Sequence, residues 1–520
     1  MQDYALTVDR FLEHGAKWHA AAQVVTAGGE ADRSIGYAEL RDRANRLSGA
    51  LLDVGLKPGD RIATLAWNTQ HHVEVWYASM GVGLVCHTLN PRLTVAHLAA
   101  MVAKADDRVL AVGAGLRHTA EALLDACPSL ERLILLDGDT PEVGRPEVSD
   151  LEGLLAMSGR AVPWGQFDET ALAGLCFTSG TTGAPKGVGY THRSNYLHTL
   201  RALQADSIAL TASDSVLVAV PMFHANAWGL PFAAPAVGAR LVLPGRSTDG
   251  ANLARLISGH EVTVAVGVPT VWLGLLDHLD ATGGETPSLE RIIIGGSSCP
   301  DSLLQRMERR LGATVQTSWG MTELSPLGAI SPRSDKPGAA RGSGRPPLGL
   351  DLMLTDADGA PLPDQRNAVG RLKVKGQSVV HAYFGAAAPV VDADGWFDTG
   401  DLAQLDDEGN LTLAGRSKDL IKSGGEWINP VEIEEIVGAL PAVALVAVIG
   451  RADPKWGERP LMVIEPAHGQ EIDDAQLTAA LKGQVAAWWI PERIVRVEAM
   501  PLAATGKINK AQLRATYGDA

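Results

Sequence analysis

Apolar residues in the first two thirds of the chain follow two alternating periods. Over residues 38–47 they recur at helical spacing, and over residues 61–66 they form a short continuous run that is typical of a buried strand. Gly or Pro usually follows further runs of this kind, which begin at Arg108, Arg132, Ser215, Val262 and Arg291. Because strands that alternate with helices tend to pair in parallel, the pattern predicts an α/β fold with parallel sheets covered by helices.

The pattern changes after about residue 346. Strand-like runs punctuated by turn residues, at 350–359 and 370–376, predict a small β-rich subdomain over about residues 346–415. Beyond a boundary near residues 415–418, a strand at 444–449 lies between helices predicted over 431–437 and 476–487. The sequence therefore predicts an N-terminal domain over 1–417 and a compact C-terminal domain over 418–520.

Composition and charge exclude several classes of protein. With 520 residues, of which 46% are hydrophobic and 20% charged, the chain has the composition of a globular protein, which excludes extended disorder. Its 45 Lys and Arg residues against 60 Asp and Glu residues leave a formal charge of −15. This charge opposes binding to nucleic acid or to anionic lipid, so we expect no nucleic-acid partner and expect local geometry to hold any anionic ligand.

The cysteines and the N-terminus indicate the compartment. The four cysteines lie far apart in the sequence, without the close pairs of a zinc site or a disulfide framework, at Cys86, Cys127, Cys176 and Cys299. Residues 1–10 have no basic stretch followed by an apolar core, and no run of about 18 apolar residues occurs. We therefore expect a cytoplasmic protein without a signal peptide or a membrane span.

The strongest local signal is a glycine-rich segment that follows an apolar strand. Glycines allow successive N–H groups to converge on an anion, hydroxyl side chains add donors, and a lysine adds a full positive charge. These residue types favour a polyphosphate ligand over a merely flexible hairpin. The segment is not a Walker A loop, because Pro185 stands where that motif has glycine. The candidate phosphate-binding residues are Thr178, Ser179, Gly180, Thr181, Thr182, Gly183 and Lys186.

Together with four downstream motifs, this segment resembles the signature of the adenylate-forming superfamily of acyl-CoA ligases, peptide-synthetase adenylation domains and luciferase. The motifs occur in the family's order at residues 318–323, 395–401, 415–419 and 502–507. Such an ordered set is specific, although each motif alone is not. Runs at residues 67–68, 89–93, 318–321, 423–427 and 453–456 are most similar to bacterial fatty-acyl ligases of the 3-methylmercaptopropionate–CoA ligase type.

The resemblance implies a fold and a reaction. The fold is a large N-terminal domain of two α/β subdomains and a β-rich subdomain, followed by a small, mobile α+β domain. The reaction joins a carboxylate to ATP, giving acyl-AMP and pyrophosphate, and CoA then displaces AMP. The family pattern implies catalytic roles for Lys507, Thr178, Glu323 and His224.

Nucleotide-site roles follow from the same resemblance. Lys507 would stabilise charge during adenylation, Glu323 would bind Mg²⁺, and Thr322 would bond the α-phosphate. Asp401 would accept both ribose hydroxyls beside Arg416. Trp319 stands where the family usually has a tyrosine against adenine, and an indole retains the ability to stack. The remaining nucleotide-site residues implied are Gly296, Ser297, Ser318, Gly320 and Met321.

In this family the C-terminal domain rotates between the two half-reactions, and the matching hinge position is Lys418. The glycine turn after it resembles the family segment that lines the pantetheine tunnel. Glycine suits such a position because it allows a ligand to approach the backbone closely. The residues implied in CoA binding are Lys422, Ser423, Gly424, Gly425, Glu426 and Trp427.

The segments that border the acyl site are apolar, aromatic or small. The segment after Pro221 lacks the aspartate that would pair with the ammonium of an amino acid, so a plain carboxylate is favoured. His224 and Trp228 are four residues apart, which predicts one helical face for them as gate and wall of the pocket, with a packed core pair as the alternative. The acyl-site residues that the resemblance implies are His224, Asn226, Ala227, Trp228, Gly229, Val268, Pro269, Gly295 and Gly296.

Several alternatives stay open from the sequence. The expected acid is a short- or medium-chain fatty acid or 3-methylmercaptopropionate, but small pocket residues also suit an aryl or arylalkanoic acid. The acyl acceptor is expected to be CoA, with a carrier protein or oxygen as alternatives. A non-catalytic nucleotide-binding module is disfavoured, since a binder has no need of an adenylation lysine. Analogy with the family allows a homodimer.

Overall fold

The computed structural model describes the chain except residues 3, 30, 139–147, 179–184, 298, 334–341, 425, 468, 504–506 and 519–520, and except the side chain of Ser158. The α-helices are α1 (Asp9–Trp18), α2 (Tyr37–Asp53), α3 (Gln70–Gly81), α4 (Val95–Ala105), α5 (Arg117–Ala126), α6 (Leu151–Ser158), α7 (His192–Ala202), α8 (Leu230–Val237), α9 (Gly250–Gly259), α10 (Pro269–Thr282), α11 (Asp301–Leu311), α12 (Pro430–Gly438), α13 (Asp474–Leu481) and α14 (Lys510–Tyr517).

The strands are β1 (Gln23–Thr26), β2 (Arg33–Gly36), β3 (Arg61–Leu65), β4 (Val85–Thr88), β5 (Val109–Val112), β6 (Arg132–Leu135), β7 (Val148–Asp150), β8 (Leu172–Thr178), β9 (Lys186–Thr191), β10 (Ser215–Val218), β11 (Arg240–Leu243), β12 (Val264–Gly267), β13 (Arg291–Ile294), β14 (Thr314–Gly320), β15 (Leu327–Ile330), β16 (Leu350–Thr355), β17 (Val369–Gly376), β18 (Phe397–Leu405), β19 (Leu411–Arg416), β20 (Ile421–Ser423), β21 (Glu426–Ile428), β22 (Val443–Asp453), β23 (Gly457–Pro466) and β24 (Arg493–Arg496).

Two large sheets form the N-terminal part of the molecule. One has the strand order β7-β6-β5-β3-β4-β8-β9 and the other β15-β14-β13-β12-β10-β11-β1-β2. Their inner strands pair in parallel, and antiparallel pairs occur at the edges. The inner strands are buried on both faces, which explains their continuous apolar runs. The predicted α/β architecture is therefore confirmed.

Helix α3 packs between the two large sheets and fixes their mutual position. It contacts β3 and β4 of one sheet and β1 of the other. From residue 71 to its end every residue is buried, including the charged Glu74, which pairs with Arg43 at 2.8 Å. A helix that is buried all round belongs to the core, and here it makes the two sheets share one apolar core.

Two smaller sheets complete the fold. Strands β16-β17-β18-β19 form an antiparallel sheet, and β21-β20-β23-β22, with β24 parallel to β23, form the sheet of the C-terminal part. Buried and more exposed positions alternate along β18, so that one face of the strand points to the core. This alternation buries Asp401. The β-rich and α+β units of the predicted fold class are confirmed, whereas the exact domain limits stay predictions.

The helix predicted over residues 476–487 is wrong in its second half. Helix α13 ends at Leu481, and a 3₁₀ helix follows only at Ala487–Trp489. The reason is Gly483, whose φ of +78° lies in the left-handed region and turns the chain away from the helix axis.

Among the described residues, no helix combines the length and apolarity that a membrane crossing requires.

The buried carboxyl of Asp9, at the start of α1, predicts a pH dependence of stability. Burial raises its pKa from 3.8 to about 6, although the Thr7 hydroxyl opposes this shift. Well below pH 3.8 the group is neutral in both folded and unfolded protein, and the folded state is penalised progressively as the pH rises from 3.8 to about 6. Above that range the penalty stays near ~3 kcal/mol.

We therefore expect Asp9→Asn to raise the melting temperature at about pH 7.5 and to change it much less at about pH 4.5. Differential scanning calorimetry at both pH values measures the effect. The exposed Asp125 provides the control, since Asp125→Asn removes a carboxylate that is not buried. An equal shift for Asp9→Asn at both pH values would contradict the assignment.

Candidate active site

A single large cleft contains most of the residues that the motifs identify. Its volume is about 2140 Å³, which exceeds the few hundred to 1,000 Å³ of a pocket for one small ligand. Residues of both the N-terminal and the C-terminal part line it. The predicted site residues on its walls are Thr178, Lys186, His224, Trp228, Val268, Pro269, Gly296, Ser297, Ser318, Trp319, Gly320, Met321, Thr322, Glu323, Asp401, Arg416, Lys418 and Lys507.

Asp401 has partners for both carboxylate oxygens. It lies opposite Arg416 in the β18–β19 register, and the Arg416 Nε is 2.6 Å from Oδ1. The Trp319 Nε1–H donates to Oδ2 at 3.1 Å. Burial raises the pKa of Asp401, while Arg416, Trp319 and the more distant Lys507 lower it. The result is an oriented acceptor that faces the cleft, as the recognition of a vicinal diol requires.

We expect Asp401→Asn to raise KM for ATP by about 10-fold, because the variant loses an acceptor of charge-assisted hydrogen bonds. KM for the acid should change little. Initial-rate kinetics of pyrophosphate exchange measures both constants. Asp392→Asn is the matched control, since Asp392 pairs with Lys373 on the same sheet but outside the cleft. A selective increase in KM for the acid would contradict the assigned role.

The Thr322–Leu324 turn is held by two hydrogen bonds, one from a residue of strand β9 and one from a loop residue. The Tyr190 hydroxyl donates to the Thr322 carbonyl at 2.9 Å, and the Tyr383 hydroxyl donates to Glu323 Oε1 at 3.0 Å. The Lys186 Nζ lies 5.1 Å from the centre of the Tyr383 ring. Burial and Glu323 both raise the pKa of Tyr383, so the phenol stays protonated and remains a donor.

The donor set at Glu323 fits a magnesium ion bound mainly by phosphate. Within the described residues no group of three or more His, Cys, Asp or Glu side chains is placed to hold a metal. Mg²⁺ commonly takes one or two carboxylates and completes its shell with substrate phosphates and water. Tyr383 occupies one oxygen of Glu323, and in the described part of the chain the other oxygen has no hydrogen-bond partner. One carboxylate is therefore available.

Lys507 reaches into the cleft from the C-terminal part. Its Cε lies 4.0 Å from the position that a Cβ on Gly296 would take. The side chain is accessible to solvent through the cleft, yet the surrounding protein desolvates the ammonium, and this together with Arg416 lowers its pKa. The carboxylates of Asp401 and Glu323 raise the pKa of Lys507.

His224 lies near the Lys507 ammonium. Burial lowers the pKa of His224 to about 4, and the positive charge of Lys507 contributes to this shift. The imidazole is therefore neutral at physiological pH.

Two ion pairs hold the helix that follows Lys507. The Lys510 Nζ is 2.6 Å from Glu434 Oε1 on α12, and an Arg514 Nη is 2.6 Å from Asp419 Oδ1. Asp419 directly follows Lys418, whose pKa burial lowers. The first pair therefore ties α14, which follows the loop that carries Lys507, to α12, and the second ties it to the residue after the predicted hinge.

The part of the cleft around Gly296, which the resemblance assigns to the acid, is narrow. A Cβ on Gly296 would lie 3.2 Å from Val268 Cγ1 and 4.0 Å from Trp228 Cζ2, so the glycine keeps this passage open. The cleft lining also contains apolar residues that the motifs do not indicate, because they come from separate strands and loops: Ile208, Val220, Ile293, Leu327 and Ile330.

The prediction that His224 and Trp228 share a helical face is wrong. Residues 225–228 have φ values between +44° and +56°, so the backbone forms a left-handed turn. Four successive non-glycine residues in this region are strained. The tertiary packing around the turn overrides the helical spacing. Four other predicted acyl-site residues are buried behind the cleft wall: Asn226, Ala227, Gly229 and Gly295.

The structure does not bring the predicted CoA segment to the cleft. This segment forms the β20–β21 hairpin, where the Gly424 N–H donates to the Trp456 carbonyl at 2.7 Å. The residues found outside the cleft lining are Lys422, Ser423, Gly424, Glu426 and Trp427. Other predicted residues lie outside the described part of the chain: Ser179, Gly180, Thr181, Thr182, Gly183 and Gly425.

Two functional contacts were missed at the sequence level. The bond from Trp319 to Asp401 joins residues 82 positions apart, and that from Tyr383 to Glu323 joins residues 60 positions apart. A buried indole N–H or phenol usually finds a polar partner, which signals that a bond exists but not which residue accepts it.

Comparison with known proteins agrees with the geometry. Residues 11–384 match the family described as AMP-binding enzyme, and residues 432–507 match the AMP-binding enzyme C-terminal domain. The 3-methylmercaptopropionyl-CoA ligase of Ruegeria pomeroyi is 42% identical, with 99% of this chain and 98% of that protein covered. The medium-chain-fatty-acid–CoA ligase of Ectopseudomonas oleovorans is 39% identical, with 99% and 96% covered.

A solved structure, ATP-bound MatB from Rhodopseudomonas palustris, superimposes with a TM-score of 0.86 at 27% identity and covers 99% of both chains. The superfamily and the acid–thiol ligase class that the sequence motifs imply are thereby confirmed. The chain therefore belongs to the AMP-binding enzyme family.

Proposed function

We propose that this protein is an ATP-dependent, AMP-forming acyl-CoA ligase for a short- or medium-chain linear carboxylic acid, with 3-methylmercaptopropionate among the candidates. One observation carries the proposal: Asp401, Glu323 and Lys507 line one cleft together with apolar side chains such as Ile293, Leu327 and Ile330. The polar groups suit a nucleotide and the apolar groups suit an aliphatic chain. The relatives from Ruegeria and Ectopseudomonas, which cover nearly the whole chain, support this class of acid.

In the first half-reaction the carboxylate attacks the α-phosphorus of ATP, forming a C–O–P bond and releasing pyrophosphate. Asp401 and Arg416 bind the ribose, and the turn at Thr322 and Glu323 orients the phosphates. Lys507 stabilises the negative charge that develops between the acid and the α-phosphate. A magnesium ion held at Glu323 would supply further positive charge to the phosphates. Removing divalent cations with EDTA should abolish the reaction.

The second half-reaction requires a rearrangement. The thiolate of CoA attacks the acyl carbon and AMP leaves, but Lys507 lies in the cleft while the β20–β21 hairpin lies outside it. A rotation of the C-terminal part about Lys418 would withdraw the lysine and bring the hairpin to the cleft. The Asp419–Arg514 ion pair beside the hinge residue supports a defined first position.

The proposal is tested by measuring AMP and acyl-CoA formation from ATP, Mg²⁺ and CoA with a panel of acids. The panel contains the saturated acids from propionate to palmitate, 3-methylmercaptopropionate, benzoate and phenylalkanoates. We expect thioester formation with an optimum among the short or medium linear acids. An optimum with the aromatic acids would overturn the substrate class. AMP without thioester would overturn CoA as the acceptor.

The oligomeric state and the compartment stay predictions of the sequence. We propose a homodimer in the cytoplasm by analogy with the family and from the separated cysteines. Size-exclusion chromatography with light scattering measures the mass of the assembly, and a monomer would overturn the first of these predictions.

A further inference from the structure

Three of the five buried polar residues of helix α7 share one side of the helix, and none of the three belongs to the site described above. Asn195, His198 and Arg201 occur at intervals of three residues and lie on one side of the helix. Their exposed fractions are 1%, 1% and 3%. Burial of such groups is costly unless hydrogen bonds compensate for it. The contacts that they make therefore indicate their role.

Two of these side chains contact the strained turn on the acyl side of the cleft. The Asn195 Oδ1 accepts a hydrogen bond from Asn226 Nδ2 at 3.0 Å. The His198 imidazole lies against Gly229, where an added Cβ would come within 2.9 Å of its Cε1 and Nδ1 atoms. Gly229 has a φ of +77°, a backbone conformation that favours glycine. Because it has no side chain, the His198 imidazole can also pack directly against its backbone. The turn carries Trp228.

Two of the side chains also contact the segment on the nucleotide side. The His198 Nε2 accepts from the Leu327 N–H at 3.2 Å. Arg201 donates to the carbonyls of Leu327 at 3.0 Å and Leu324 at 3.4 Å. Because Nε2 accepts, the proton of the neutral imidazole is on Nδ1. Burial lowers the pKa of His198 well below its usual value, which favours this neutral form.

Arg201 is a buried side chain that donates its hydrogen bonds to backbone carbonyls. Among the described residues it forms no ion pair with a carboxylate, and burial lowers its pKa to about 10. A buried charge of this kind can often be replaced by an apolar residue of similar volume without loss of stability. Its two carbonyl acceptors lie just after Thr322 and Glu323 in the chain. These contacts therefore favour a role of Arg201 in positioning the segment that contains Leu324 and Leu327.

We propose that Asn195, His198 and Arg201 are positioning residues that hold the acyl-side turn (residues 225–229) and the phosphate-side segment (residues 322–327) in one fixed relation. The inference rests on the proposed function, because one segment borders the acid and the other the α-phosphate that it attacks. The two reacting groups must be aligned for attack, and a displacement of about 1 Å can cost about 100-fold in rate. Each segment keeps its own binding groups when α7 is altered.

The first test compares His198→Leu with His198→Gln, which restores an acceptor for the Leu327 N–H. Thr199→Val is the matched control, since Thr199 is buried on the same helix but its hydroxyl donates to the Asn195 carbonyl within the helix. In acid-dependent pyrophosphate exchange we expect kcat of His198→Leu to fall by about 30-fold, with KM for ATP and acid within about 3-fold of wild type. His198→Gln should recover most of the rate, and Thr199→Val should retain it.

A second variant separates positioning from folding. Arg201→Met should melt at the same or a higher temperature than the wild type and still lose about 10-fold in kcat. If kcat falls only in proportion to the loss of folded protein, or if both KM values rise while kcat is kept, the proposal is overturned.

Hydrogen–deuterium exchange provides a readout that does not depend on turnover. In His198→Leu we expect faster exchange in the peptides that cover residues 225–229 and 322–327, and no change at either in Thr199→Val. Faster exchange at only one segment would overturn the inference. If the wild-type protein turns over no acid, the proposed function is refuted. If His198→Leu then still shows faster exchange at both segments, the inference that α7 holds them together stands.

Discussion

Lys507→Ala is expected to lower the rate of acyl-adenylate formation by about 10³-fold and to leave thioester formation from supplied acyl-AMP largely intact. The reason is the position of the ammonium in the cleft. Asp401 and Glu323 are near enough to influence its pKa, and no solvent-screened lysine can replace its charge at the α-phosphate. In the second half-reaction the bond to phosphorus already exists, so this charge is no longer needed.

Pyrophosphate exchange measures the first step, and acyl-CoA formation from synthetic acyl-AMP measures the second. Lys482→Ala is the control, because Lys482 is exposed on the C-terminal part and lies outside the cleft lining. An equal loss in both steps would show that Lys507 supports the site as a whole, which would contradict its assigned role in adenylation.

Gly424→Val is expected to have the opposite effect: CoA transfer should fall by at least about 100-fold, while pyrophosphate exchange is kept. Gly424 has a φ of +62°, and an added Cβ would lie 2.8 Å from the Trp456 ring. Valine must therefore distort the β20–β21 hairpin, both by its backbone preference and by this clash. Adenylation should survive because the hairpin lies outside the cleft that holds Lys507.

The control for backbone strain alone is Gly483→Val. Gly483 has a similar φ of +78°, is part of the same C-terminal unit, and has no neighbouring atom within 4 Å of an added Cβ. It should retain both half-reactions. If Gly424→Val also lost pyrophosphate exchange, the hairpin would be needed in the first half-reaction as well. This result would contradict its assignment to the second half-reaction alone. Together with Lys507→Ala, this variant tests whether the two steps use different faces of the C-terminal part.

The nucleotide site was largely predictable because its residues occur in short motifs. Thr322 and Glu323 are adjacent in the chain, and Asp401 faces Arg416 across one antiparallel pair. Motifs of this kind need only local chain geometry to present their side chains. The roles that they imply for individual residues stay predictions, which the variants of Lys507 and Asp401 test.

The contacts that orient these residues were not predictable. Trp319 donates to Asp401 from another sheet, and Tyr383 reaches Glu323 from a later segment. The left-handed turn at residues 225–228 reverses the local preference of its non-glycine residues. In each case the partner is chosen by packing between distant segments, for which neither periodicity nor propensity carries information.

Apolar periodicity and motif order were sufficient to recognise the α/β architecture, the family and the adenylating chemistry, because burial and phosphate binding impose patterns on neighbouring residues. Three features followed only from the folded chain: the position of Lys507 inside the cleft, the position of the β20–β21 hairpin outside it, and the contacts of α7 with the segments at residues 225–229 and 322–327. These features depend on how separate sheets and helices pack against one another, and such long-range contacts leave no local trace in the chain.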